Sequence, residues 1–70
     1  MDEDKRQQLI WEMAAVIKRE RGYLWGDSRG DVAKGKIDGM IGAIRILFGK
    51  EESDAVYATA YRMVRAEGAE

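Results

Sequence analysis

The stretch KGKIDGMIGA, residues 34–43, holds three glycines, Gly35, Gly39 and Gly42, inside a segment whose apolar residues recur at helical spacing. A glycine in a helix interior is unfavourable by roughly 0.5–1 kcal/mol relative to alanine, because its backbone has more freedom to lose. On a wheel of about 100° per residue, Ala33, Ile37, Met40, Ile41, Ile44, Leu47 and Phe48 fall on one side and are expected in the core. Gly35, Gly39, Gly42, Ala43 and Ile46 fall on the other. The helix therefore has one bulky apolar face and one nearly flat face, with Lys34, Lys36, Asp38 and Arg45 on the flanks. A flat face lets a second backbone approach closely, the device of Gly-x-x-x-Gly helix pairs. Two uses remain open. Either the first or third helix of the same chain crosses there, which makes the second helix central, or the face meets another chain.

Outward from this stretch the chain reads as an all-α, three-helix domain over residues 1–70 with a central, glycine-striped second helix, and with helices at about 2–21, 29–48 and 52–67. Proline is absent and no segment alternates with period two. Asp2, Glu3 and Asp4 suit a helix start, and Lys18, Arg19 and Arg21 a helix end, as the macrodipole prefers. Gly22 follows at the expected capping position. Ser28 and Asp31 have the spacing of a capping box, so the second helix is expected to start near Arg29 and to stop at Gly49. The polar run KEES, residues 50–53, reads as the next joint, with Ser53 or an acid before it as the cap and Gly68 as the end. Ile10, Met13, Ala14 and Ile17 form the apolar stripe of the first helix; Val56, Ala60, Met63 and Val64 form that of the third.

The composition narrows function mainly by exclusion. A 70-residue chain without cysteine has no disulfide, thiol nucleophile or thiolate metal site, and without histidine it lacks the commonest general base and zinc ligand. No cofactor is expected. A core this small is marginal alone, and self-association is the remaining aid to stability. Charged residues are 36% of the chain with a net charge of −1, which argues against a general nucleic-acid binder or a basic membrane-surface peptide. The opening MDEDKRQQ does not resemble a signal peptide, and a cytoplasmic location is expected. Residues 27–50 sum to +2 and residues 51–70 to −3, so the second and third helices are expected to attract each other.

The joint GYLWGDSRG, residues 22–30, places Tyr23, Leu24 and Trp25 among glycines. These side chains either plug the end of the bundle or form a stacking wall for a ligand. A helix start with free N–H groups, together with Arg29, Lys34 and Lys36, favours an anion; Asp27 and Asp31 oppose one. Tyr23, Trp25, Ser28, Arg29, Lys34 and Lys36 are the candidate set for a small anionic ligand such as a nucleotide. The competing reading is an ordinary capped helix start. GDVAKGKI, residues 30–37, matches a phosphate loop at seven positions, yet the required hydroxyl is Ile37 and no strand precedes it, so a nucleotide hydrolase is rejected. The RGD tripeptide at Arg29–Asp31 is read as chance.

No catalytic constellation is visible. Glu51 and Glu52, or Asp2 and Asp4, are better explained by helix starts than by acid–base work, and Ser28, Ser53 and Thr59 have no histidine to activate them. A DNA-binding helix-turn-helix needs a tight joint and a basic last helix; here that helix offers only Arg62 and Arg65 beside several acids. The expected function is a non-enzymatic, homo-oligomeric module that docks on or sequesters a protein. Its interface is expected to comprise Trp11, Gly35, Gly39, Gly42, Ala43, Ile46, Tyr57 and Tyr61. Sequestration of a signalling nucleotide at residues 22–36 is the alternative. Small size, dense charge and the lack of Cys and His are shared with phage and mobile-element proteins that act on host machinery, an association that carries no motif.

Overall fold

The structure, a computed structural model, describes residues 2–23 and 26–68. It consists of three α-helices, α1 (Glu3–Arg21), α2 (Ser28–Phe48) and α3 (Lys50–Gly68), with no strand among the described residues. Arg6 lies 2.9 Å from Glu52, and Lys18 lies 3.4 Å from Glu67, so α1 and α3 run parallel and α2 runs against both. Each helix packs on the other two, so α2 is one of three equal walls and not a central helix.

α1 starts where the sequence places it. The Asp2 carboxylate accepts from the Lys5 N–H at 2.9 Å and occupies one of the unsatisfied donors of the first turn. The helix ends at Arg21, where the Gly22 N–H donates to Lys18 O and Arg19 O. Ile10, Met13, Val16 and Ile17 of α1 meet Ala33, Ile37 and Ile44 of α2 and Val56, Ala60 and Val64 of α3 in one buried cluster. Met13 and Val56 are completely enclosed. Tyr23 packs against this cluster from the end of α1. Leu24 and Trp25, named with it as a plug or stacking wall, lie outside the described residues.

Five expectations need correction. The cap of α2 is Asp27, whose Oδ1 accepts from the Arg29 N–H at 2.9 Å, and Ser28 is already the first helical residue. The second joint is Gly49 alone, and α3 begins at Lys50. Gly49 reverses the chain in one residue at φ 98°, a torsion open to glycine at little steric expense. The acids of KEES fall in the first turn of α3, where the dipole favours them. Ser53 caps nothing: it is fully buried, and its hydroxyl donates to Lys50 O at 2.9 Å. Leu47 is exposed (72%) and Phe48 partly so, because the α1 surface facing the last turn of α2 is its polar first half, with Phe48 beside Lys5, Gln8, Leu9 and Glu12. Finally, among the described residues the acidic α3 forms its ion pairs with α1 and none with α2. Arg6 Nε and Glu52 approach closely without an aligned hydrogen bond, and Lys34, Lys36 and Arg45 have no ion-pair partner among the described residues.

Candidate functional site

α2 presents Gly35, Gly39 and Gly42 away from the other two helices. A Cβ built at Gly35, Gly39 or Gly42 meets nothing within 4 Å, so neither α1 nor α3 crosses there. Of the two uses open in the sequence, the crossing within one chain is thereby removed. At the ends of the same face stand Val32 and Ile46, 72% and 85% exposed, with exposed Ala43 between them. Exposed apolar side chains that share one face mark contact surfaces.

Trp11 is also exposed (61%), yet it does not extend this face. It lines a shallow groove between α1 and α3 with Ala14, Met63 and Glu67, on the far side of the bundle from the outer face of α2. Tyr57 packs against the core, and its ring lies 6.1 Å from that of the more exposed Tyr61. The eight interface residues expected from the sequence thus divide into separate surfaces, of which Gly35, Gly39, Gly42, Ala43 and Ile46 form one.

The anion candidates divide too. A groove of about 230 Å³ between α1 and α2 brings together Tyr23, Ser28, Arg29 and Lys36 over a floor that includes Val16, Val32 and Ala33. Arg19 joins them from the last turn of α1. Sequence reading assigned Arg19 to the helix dipole, and only the packing of α1 on α2 brings it to Lys36. Lys34 points elsewhere, into a depression with Glu20, Asp27 and Asp31, because 34 and 36 differ by about 200° around the helix. Trp25 lies outside the described residues.

Within the groove the cations are not equivalent. The Arg29 Nη2 and Nε donate to the Asp27 carboxylate at 2.8 and 3.2 Å, and its guanidinium lies 4.9 Å from the centre of the Tyr23 ring. Hydrogen bonds from the side chain and the backbone N–H of Arg29 hold the Asp27 carboxyl below its ordinary pKa, and the carboxylate in turn raises that of Arg29. Arg29 is therefore a brace for Tyr23 and the start of α2. Arg19 and Lys36 have no ion-pair partner among the described residues and supply the groove's uncompensated charge. Its volume falls below the roughly 300–1,000 Å³ of pockets that enclose drug-sized ligands, so the groove accommodates part of a nucleotide and not the whole.

The hydroxyls of Ser53 and Thr59 are occupied within their own helix. Ser53 donates to Lys50 O, and Thr59 donates to Ala55 O at 2.8 Å. No cluster of metal-ligating residues occurs among the described residues, and no described helix is long and apolar enough to cross a membrane. Protein-family models, curated proteins and solved structures offer no match to this chain.

Proposed function

We propose that this chain is a non-enzymatic binding module that self-associates through the outer face of α2 and, as an assembly, docks on a partner protein. The observation that carries this reading is the open face itself: Val32 and Ile46 stand in water at its ends, and Gly35, Gly39 and Gly42 keep its middle free of side chains. Three interior glycines oppose helix formation and serve no contact within the chain. A second backbone lying close against them would supply the compensation. Light scattering across a concentration series tests this on wild type and Gly39→Leu. Wild type is expected to be a multimer. The variant is expected to be a folded monomer, because the new side chain enters empty space in the free chain and blocks only a close partner. A wild-type monomer at every concentration would remove the self-association reading.

A second reading rests on the α1–α2 groove, where Arg19 and Lys36 flank an apolar floor beside Tyr23. It is a subsite for the anionic group of a small ligand of the nucleotide class. Calorimetric titration with adenosine monophosphate tests it. The double variant Arg19→Ala, Lys36→Ala is expected to weaken binding at least tenfold with unchanged mass. Equal binding by the variant, or no heat with wild type, counts against the subsite.

A further inference from the structure

We infer that α2 pairs with α2 of a second copy in antiparallel register, across a two-fold axis beside Gly39, and this inference rests on the self-association reading above. The outer face of α2 is close to symmetric about that residue. Val32 lies seven positions before Gly39 and Ile46 seven after; Gly35 lies four before, with Gly42 and Ala43 three and four after. Reversing the helix therefore sets large residues against large and small against small. The positions 32, 35, 39, 42 and 46 also step by three and four alternately, the seam spacing that keeps one helix facing another along its length. Glycines at the middle of that seam let the backbones approach, while Val32 of each copy meets the other's Ile46 at the two ends.

The direction follows from what lies beside the seam. Exposed Leu47 and the α1–α2 groove lie on the same flank of α2 but at opposite ends of the helix. Antiparallel pairing brings the second copy's Leu47 toward the groove floor at Val32, so each copy walls the other's open groove. On the opposite flank, Asp31 comes to face the second copy's Arg45, a residue with no ion-pair partner among the described residues of its own chain. The helix dipoles also oppose each other. A parallel pair aligns the dipoles, keeps Leu47 at the end of the helices away from both grooves, and leaves those grooves open. One interaction resists the antiparallel arrangement: the two copies of Asp38 approach each other near the axis, on the flank that carries Asp31 and Arg45.

The chain has no cysteine, which makes the register directly readable by disulfide trapping. Val32→Cys and Ile46→Cys place thiols at exposed positions that the fold of the free chain does not use. Residues 32 and 46 are about 21 Å apart along one helix at 1.5 Å per residue, and a disulfide needs Cα atoms within about 7 Å. Mild oxidation of the equimolar mixture of the two variants is expected to give a covalent heterodimer, at least tenfold more than either variant gives alone. Efficient cross-linking of each variant with itself, and none between them, would establish a parallel pair and overturn the register while leaving self-association intact. A multimeric mass without any of these cross-links would place the interface elsewhere, with the same consequence for the register. A monomeric mass in every sample would overturn the self-association reading as well. Asp38→Asn gives an independent check. It is expected to tighten association severalfold at low salt, since it removes the like-charge contact at the axis, and unchanged or weaker association would count against the axis beside Gly39.

Discussion

Met13→Ala is expected to leave a large fraction of the chain unfolded at room temperature. Met13 is completely enclosed and lies on α1 where that helix faces both others. Truncating such a residue removes both its transfer free energy and its packing contacts, a loss of about 2–5 kcal/mol. At about 0.05–0.15 kcal/mol per residue, a domain of this length has about 3.5–10 kcal/mol in all. The loss is therefore comparable to the whole stability at the lower end of that range, and small domains lie toward that end. Urea titration followed by far-ultraviolet circular dichroism measures it. Trp11→Ala is the control, because an exposed side chain outside the core should shift the midpoint by no more than about 0.5 kcal/mol. The comparison must be made at one protein concentration, since any self-association stabilises the folded state by mass action. A loss below about 1 kcal/mol for Met13→Ala would mean that the three helices do not close on that side chain.

The triple variant Gly35→Ala, Gly39→Ala, Gly42→Ala is expected to move two measurements in opposite directions. In the dilute, unassociated chain each substitution gains roughly 0.5–1 kcal/mol of helix propensity, about 1.5–3 kcal/mol together. Nothing outside the local helix backbone opposes the gain, because no atom of another element lies within 4 Å of any of the three added methyl groups. Association should weaken at the same time, by at least tenfold, because three methyls hold a neighbouring backbone away from α2. Urea midpoints at high dilution and sedimentation at high concentration read the two effects separately. A destabilised dilute chain would show that the glycines serve a contact within the monomer. Unchanged association beside raised stability would show that close backbone approach at this face has no part in assembly.

The helices were legible in the sequence because three independent signals agree on them. The apolar residues repeat at helical spacing, the end charges match the dipole, and Gly22 and Gly49 punctuate the pattern. What escaped was decided by single side chains or by non-local packing. Asp27 and Ser28 are both good caps, and the choice falls to Asp27 because the N–H and the guanidinium of Arg29 both reach its carboxylate. Four polar residues after Gly49 look like a loop, but acids are also what a first helical turn prefers, and one glycine suffices to turn the chain. Helical periodicity gave the direction of Leu47 and Phe48 without revealing how far the apolar surface of α1 extends to meet them. The flat face of α2 was visible as a pattern, while its openness depended on where α1 and α3 pack. Arg19 joined the groove for the same reason: no local spacing relates it to Lys36.

Gly49 shares its empty surroundings with Gly35, Gly39 and Gly42, since a Cβ there also meets nothing within 4 Å. The consequence for inheritance is opposite. At the three helical positions an empty neighbourhood permits almost any residue in the solitary chain, so only assembly could keep them small over many generations. At Gly49 the backbone stands at φ 98° and ψ 163°, a region essentially restricted to glycine, where a side chain is strained by its own main chain, by about 1–3 kcal/mol. A lineage whose chain does not assemble can thus drift along the outer face, and still be unable to change the one residue from which its third helix hangs.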